Sequence, residues 1–297
     1  MTTDNTERRE PAPWTQFGSG FEPTAIQQME NACRLPIAVR GALMPDAHQG
    51  YGLPIGGVLA TDGAVIPYAV GVDIACRMRM TVTDLPLSDL ANNQGKLSAS
   101  LEEETRFGTG CGFGKGRRLH HPVMDEDWSV SPITERNKDK AWQQLGTSGS
   151  GNHFAEFGVL TVHGDALGLE AGKYLALVSH SGSRNVGLTV ANHYSKLARK
   201  RHPELAKDLQ HLAWLDLDTE EGREYWDAMN LMGRYAAANH ALIHQRIVDH
   251  LGCGVRAEVE NHHNFAWREE VDGRECIVHR KGATPAGEGD VGVIPGS

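Results

Sequence analysis

The pattern of apolar and polar positions changes character several times along the chain, and each change marks an element. From Met1 to Phe21 the sequence is polar and contains Pro, which predicts a poorly ordered start. Between Pro36 and Ile74, short apolar pieces at Ile37 to Val39, Gly57 to Ala60 and Val65 to Ile66 are interrupted every few residues by Gly or Pro. That punctuation predicts short strands and tight turns and leaves no room for a long helix. Pro86 to Glu104 reads as loop and then helix, Gly108 to Gly116 as a flexible loop, Asp125 to Pro132 as acidic and irregular, and Thr134 to Leu145 as helix. The run Tyr174 to Ser179 predicts a buried strand that leads directly into His180.

Gly187 to Arg201 has a helical pattern, and Pro203 with the acid-rich Asp216 to Glu224 makes a connection to the next helix. The clearest helix is Tyr225 to Leu251, where Met229, Met232, Ala236 and Ile243 recur at three- and four-residue steps, as an inward stripe should. Gly252 and Gly254 stop it. Val255 to Asn261 and Glu275 to His279 read as strands. There is no internal repeat, no regular βαβ rhythm and no GxGxxG opening, so a mixed α+β domain is expected and a dinucleotide-binding fold is disfavoured.

Composition narrows the function classes. The 297 residues can bury a sizeable core, and 40% hydrophobic with 23% charged residues describes a soluble globular chain. Lys and Arg number 29 against 38 Asp and Glu, a net charge of −9, so nucleic acid would not be held by bulk charge. Two local basic groups exist, Lys115 with Arg117 and Arg118, and Lys196 with Arg199, Lys200 and Arg201; each alone reads more simply as a solvated face. No apolar run approaches the roughly 20 residues of a bilayer crossing, and the N-terminus has no secretory pattern. A reducing cytoplasmic setting without membrane contact is expected. The five cysteines are odd in number, widely spaced and lack a CxxC pair, which excludes a disulfide framework or zinc ribbon.

The informative anomaly is 34 Gly and 15 His, with glycine concentrated beside His, Asp, Asn and Ser. Four segments place a candidate ligand among small residues where backbone approaches closely: MPDAHQGYG (44–52), GVDIACRM (71–78), GTSGSGNHFAE (146–156) and VSHSGSRNVG (178–187). HHN (262–264) follows a strand. Asp73 and Cys76, three apart after an apolar strand, would face one space, and Arg184 suits phosphate oxygens. Singly each is weak: a lone His is more often structural, Cys76 alone reads as a small buried hydrophobe, and Met44 and Met78 as core. His240 and His244, at i and i+4, lack the Glu of HExxH, and His120 with His121 reads as a surface run. Jointly, thiolate, imidazoles and a carboxylate suit Mn, Fe, Zn or Co, and a thiolate between two cations can bridge them, an arrangement suited to phosphoryl or nucleotidyl transfer.

In order and wording these segments resemble the RtcB family of RNA ligases, from about Pro36 to Ser297. MPDAHQGYG is similar to the family's MPD-x-H-x-G, VGVDIACRM to VGVDIGCGM, and GSGNHFAE and HSGSRNVG match nearly letter for letter. HHN, RKGAT (280–284) and IPGS (294–297) follow in the family's order. The resemblance implies an RtcB-like catalytic domain over 22–297 with a central metal-binding cleft. It implies two Mn²⁺ ions, one on Asp73, Cys76 and His153, the other on Cys76, His180 and His263, with Cys76 bridging. Between His262 and His263, only family position decides for the residue directly before Asn264. It further implies a GTP site lined by Asn152, His153, Phe154, Ala155, Glu156, His263, Asn264, Pro295, Gly296 and Ser297. The partners implied are RNA with a 3′-phosphate or 2′,3′-cyclic phosphate and a 5′-hydroxyl, and an archease-type activator protein. A groove using Arg77, Arg184, Arg280 and Lys281 is the expected RNA contact, set against a solvated strand end for the last two.

In the family a histidine in a C-terminal SHGAGR segment accepts GMP; none of the 15 histidines here lies in that motif, so the domain is expected to be C-terminally incomplete. Ala75 and Arg77 replace glycines flanking the Cys, and Tyr51 stands where many members carry Lys. Two alternatives to an RNA ligase follow: a catalytically incomplete metal- and nucleotide-binding homologue, and a Mn-dependent cyclic phosphodiesterase.

Overall fold

Gly or Pro between alternating apolar residues produces strands at most of the expected places, and the longest apolar stripe produces the longest helix. The structure, a computed structural model, describes residue 8 and residues 10–294. In chain order the elements are β1 (Trp14–Gln16), α1 (Pro23–Cys33), β2 (Ala38–Tyr51), β3 (Leu53–Thr61), β4 (Ala64–Val65), α2 (Pro67–Val70), β5 (Arg77–Thr83), α3 (Asp89–Asn92) and α4 (Gln94–Glu104). They continue with α5 (Pro132–Gln144), β6 (Phe154–Val162), β7 (Gly172–Ser181), α6 (Arg184–Arg201), β8 (Leu215–Asp216), α7 (Glu220–Leu251), β9 (Val255–His262), β10 (Asn264–Val271) and β11 (Arg274–Lys281). The result is the mixed α+β domain expected.

One sheet runs β1-β2-β3-β11-β10 and the other β6-β7-β5-β9, with β4 and β8 forming a separate pair. All ladders are antiparallel except β1 on β2. Period-two alternation gives the four-stranded sheet two distinct faces. Leu175 and Leu177 of β7 pack with Ile243, Ile247 and Leu251 of α7 on one face. Met80, Val82, Ala176 and Val259 form a smaller cluster on the other. His180 stands opposite Met78 and Phe154 in the ladders, so it belongs to the face away from α7, at the end of the sheet where β5 begins. The largest core lies elsewhere and joins residues of α1, α2, α5, α6 and α7 with those of the five-stranded sheet; Tyr194, Tyr225 and Tyr235 are fully buried in it.

Several expectations are corrected. Within the stretch expected to be poorly ordered, residues 14–16 form β1: Ala12 is buried, its N–H bonds Cys33 O, and Gly41 N–H bonds Pro13 O. β2 is a 14-residue strand, because bulges between Leu43 and Tyr51 let it continue through residues that read as turns. The apolar residues before Asp73 form the short helix α2, begun by Pro67 at its first turn. β6 and β10 were not expected as strands. The Gly108 to Gly116 loop is anchored, since Phe113 is buried with the guanidiniums of Arg106 and Arg246 each 5.0 Å from its ring centre. No helix among the described residues is long and apolar enough to cross a membrane, and all five cysteines are free.

α7 begins five residues earlier than its stripe suggested because Thr219 Oγ1 accepts from Gly222 N–H at 3.1 Å, and Glu220 and Glu221 occupy the first turn. It ends at Gly252, whose φ of +63° is left-handed and whose missing Cβ would meet nothing within 4 Å. Gly252→Ala therefore isolates a backbone effect: it is expected to lower stability by about 1 kcal/mol in urea unfolding with an unchanged m-value. No loss of stability would contradict the left-handed cap.

Candidate metal centre

The centre is organised by the turn between α2 and β5. Gly71, at φ +102°, redirects the chain after α2, and Cys76 N–H closes the turn on Asp73 O at 3.1 Å. Ala75 sits at φ +57°, a conformation that favours glycine, and is held there by its N–H bond to Asn264 O at 2.7 Å. His263 N–H in turn bonds Cys76 O at 3.0 Å. The thiol and carboxylate of the turn are thus locked to the β9–β10 corner, far away in sequence.

Onto this turn three imidazoles converge. Cys76 Sγ lies 3.0 Å from His180 Nε2 and 3.6 Å from His153 Nε2; His180 Nε2 lies 3.2 Å from His263 Nε2, and His153 Nε2 lies 2.8 Å from Asp73 Oδ2. Two triads result, Asp73–Cys76–His153 and Cys76–His180–His263, each with its donor atoms within 4.8 Å of one another. His263 faces the cluster, whereas His262 packs against Phe265 and Trp267. So many lone-pair atoms so close together are mutually repulsive unless protons or cations lie between them. The set of one sulfur, three imidazole nitrogens and a carboxylate fits borderline transition cations better than Mg²⁺ or Ca²⁺.

The hydrogen-bond pattern fixes the tautomers. Asn152 O can only accept, so His180 Nδ1 donates to it at 2.9 Å and Nε2 is left as a bare acceptor facing the thiol, the arrangement a metal-binding His needs. Arg184 can only donate; its guanidinium lies 3.2 Å from His153 Nδ1, which makes Nδ1 the acceptor and leaves Nε2 to meet Asp73 Oδ2 at 2.8 Å. Burial pushes the Cys76 thiol well above its ordinary value, and the carboxylate of Asp73 adds to the shift. Burial also lowers His180, and lowers His263 to about 4, so both rings are neutral at physiological pH. For Asp73 burial opposes ionisation, but the hydrogen bond and charge of His153, then the Cys76 thiol and Arg184, outweigh it and hold the carboxyl below its usual range.

Glycines make the approach feasible. A Cβ at Gly149 would collide with the Arg184 guanidinium, one at Gly182 with the Asp73 carboxylate, and one at Gly187 with Ser183 Oγ, which itself bonds Ile74 O at 2.6 Å. Arg184, at φ +58°, enters α6 in a left-handed conformation and sends Nε to Thr147 Oγ1 at 3.1 Å.

Of the residues expected along a nucleotide, Phe154 and Glu156 lie on the His180 face of the sheet, and the Phe154 ring is 5.9 Å from that of His180. Ala155 lies between them on β6. Asn152 is exposed, and Asn264 Oδ1 accepts from Gly282 N–H at 2.8 Å. Pro295, Gly296 and Ser297 lie outside the described residues. Three of the four cations expected in an RNA groove are already engaged: Arg77 is buried against Glu260, Arg280 makes a two-pronged pair with Glu269, and Lys281 is buried on Tyr51 O and Leu53 O. Arg184 alone of the four reaches the donor cluster. His240 and His244 bond Ser179 and Thr81 and belong to neither triad. A third grouping, Glu103, Glu104 and His250, has Glu104 already paired with Arg246.

Sequence reasoning missed Thr147, Ser181, Ser183 and Asn239, which support the centre from behind. A signal existed for Asn239: it occupies an inward position of the α7 stripe between Ala236 and Ile243, where an apolar residue would be expected.

The geometry defines a mixed α+β protein with a buried Cys–His–Asp centre able to hold metal. The chain belongs to the RtcB family: the family model described as tRNA-splicing ligase RtcB matches residues 28–130 and 112–297. The RNA-splicing ligase RtcB of Escherichia coli K12 is 32% identical over 324 residues, covering 100% of this chain and 76% of that protein. The tRNA-splicing ligase RtcB of Thermococcus kodakarensis is 31% identical over 90% of this chain and 66% of its own length. An RtcB homologue of Entamoeba dispar is 30% identical over 89% of this chain and 59% of its own.

Because the His180 and His263 rings are neutral, Asp73 is ionised and the Cys76 thiol is held protonated, metal must displace the thiol proton. At pH 8, uptake of divalent metal is expected to release about one proton per chain, and lowering the pH to 7 to weaken uptake about tenfold. Calorimetry in two buffers of different protonation enthalpy reads the proton count; a count near zero would exclude Cys76 as a ligand.

Proposed function

We propose that the chain carries the metal and nucleotide site of a GTP-dependent RNA ligase that joins 3′-phosphate or 2′,3′-cyclic phosphate ends to 5′-hydroxyl ends, in tRNA splicing or RNA repair in the cytoplasm. The observation that carries the reading is one buried thiol shared by two donor triads. Asp73, Cys76 and His153 would hold one Mn²⁺, and Cys76, His180 and His263 the other. When bound, the two cations would neutralise a triphosphate and polarise its phosphoryl oxygens. Two cations sharing one thiolate suit transfer of a nucleotidyl group.

The protein's own residues supply the rest. Asn152, with its carbonyl, fixes the ring of His180; Asp73 and Arg184 fix that of His153 from its two nitrogens. Phe154, Ala155 and Glu156, on the strand beside His180, would line GTP together with Asn264 and the segment 295–297. Arg184 is the cation placed to compensate phosphate charge at the His153 side, while Arg77, Arg280 and Lys281 act through the partners they already hold. In this route water first opens a 2′,3′-cyclic phosphate to a 3′-phosphate, a histidine to which none of the 15 in this chain is assigned takes GMP from GTP with loss of pyrophosphate, GMP passes to the RNA 3′-phosphate, and the 5′-hydroxyl displaces it to form the phosphodiester. RNA and an archease-type activator are the partners this reading requires.

GTP binding measured by calorimetry is expected to require Mn²⁺ and to be lost in Cys76→Ala. GTP binding that is indifferent to both Mn²⁺ and Cys76 would contradict the reading. Opening of an RNA 2′,3′-cyclic phosphate without joining would favour the phosphodiesterase instead.

A further inference from the structure

Tyr51, the last residue of β2, is 69% exposed, more than any other Phe, Tyr or Trp among the described residues. Its backbone is nonetheless fixed on both sides. Before it, the Gln28 amide accepts from Gly50 N–H at 2.9 Å and donates to Gly50 O at 2.6 Å. Tyr51 O itself accepts from Lys281 Nζ at 2.7 Å. After it, Gly52 has φ +73° and lies so close to the short turn 210–212 that a Cβ would stand 2.9 Å from His211 O. A bulge between His48 and Tyr51 shifts the register just before the ring, the kind of irregularity that re-aims a side chain. The ring meets His211 at 5.9 Å between centres and 66° between planes, and His211 in turn lies 4.5 Å from the Tyr68 ring.

Cations gather at the same place. Burial, then the charges of Arg199 and Lys281, lower the pKa of His211, so both cations lie near that ring. Lys196 is one turn before Arg199 on α6 and therefore on the same side of the helix. Among the described residues, none of Lys196, Arg199 or Lys281 has a carboxylate partner, and Arg199 gives only Nε to the protein, to Ser195 O at 3.3 Å. The neighbouring carboxylates are taken: Glu22 accepts from Gln49 N–H, Glu204 pairs with His202 and Glu221 with Arg201. The carbonyl end of α6 accounts for basic residues in its last turn. It does not account for a rigid, open aromatic ring beside them.

The surface is joined to the metal centre. Lys281, which holds Tyr51, is followed by Gly282, whose N–H bonds Asn264 Oδ1 at 2.8 Å, and by Ala283, whose N–H bonds His263 O at 3.1 Å. One lysine side chain and two residues of backbone thus separate Tyr51 from His263. We propose that Tyr51 is a stacking platform for an unpaired base of the RNA strand that enters the centre, with Arg199 and Lys196 taking the phosphates beside it. The choice of RNA rests on the proposed function. An acidic peptide would meet the cations but has no planar group for the ring. Because every base has a π-face, the platform selects unpaired nucleotides near the break rather than a particular sequence.

The test uses the whole chain with Mn²⁺ and a fluorescent single-stranded RNA bearing a 3′-phosphate, beside one bearing a 5′-hydroxyl and a blunt duplex of the same sequence. Tyr51→Ala is expected to weaken binding of one of the single strands about 5- to 150-fold, whatever the base, and to leave the duplex as in the parent. Tyr51→Phe, which keeps the π-face, should retain the parent affinity. Arg199→Ala should reduce the salt slope of the same strand by about one. 2-Aminopurine placed at successive positions should be quenched at one of them in the parent and recover in Tyr51→Ala. Single-strand affinity unchanged in Tyr51→Ala, equal loss on the duplex, or quenching that survives Tyr51→Ala would overturn the platform, as would absence of RNA binding by the parent. GTP binding indifferent to Mn²⁺ would instead overturn the proposed function and leave the RNA result standing.

Discussion

Everything at the centre depends on burying one thiol among other donors. Cys76 is 3% exposed, and its sulfur lies among imidazole nitrogens and a carboxylate. A fold gains nothing from gathering lone pairs in this way, since their repulsion and desolvation both oppose it. The backbone around the cluster is correspondingly over-determined. Ala75 is kept left-handed by Asn264, Gly182 yields its side-chain space to Asp73, and Ser183 ties α6 to the Cys76 turn. Strain and polar crowding concentrated at one place are what a functional site looks like when the rest of the structure holds it together.

The two faces of the β6-β7-β5-β9 sheet divide the labour. Even-numbered residues of β7 present His180 to the cluster and Ala176 to a small apolar patch; odd-numbered ones present Leu175, Leu177, Ser179 and Ser181 to α7. The α7 face is apolar near one end of the strand and polar near the other, and the polar end lies directly behind the donors. His240 and His244 serve that polar end as neutral hydrogen-bond partners, their protonation suppressed by burial, to about 3 for His244. They illustrate why a histidine count alone misleads. His279 does so too: its Nε2 accepts from Ile66 N–H and its Nδ1 donates to Leu59 O, which makes it a structural link between β11 and the start of α2.

Much of the candidate site was legible in the sequence, because its donor residues sit in unusual strings of Gly, Ser, Asn and His whose order is informative by itself. The helices α6 and α7 and the strand into His180 were legible through periodicity. What escaped were features set by tertiary contact. β2 runs through apparent turn residues because bulges absorb the irregularity, and β1 forms because an otherwise polar stretch finds an edge to pair with. The side chains of Arg280 and Lys281 read equally as groove or solvated strand end; the fold gives them a carboxylate and two carbonyls, neither visible in the local sequence. His262 and His263 could not be told apart by chemistry, and only the β9–β10 corner turns one inward and packs the other on Trp267.

The most direct measurement of the central claim is anomalous diffraction at the manganese edge from crystals of the protein grown with Mn²⁺. The account predicts two anomalous peaks flanking Cys76 Sγ, one against Asp73 and His153 and the other against His180 and His263. A single peak, or two peaks that do not share the sulfur, would contradict it.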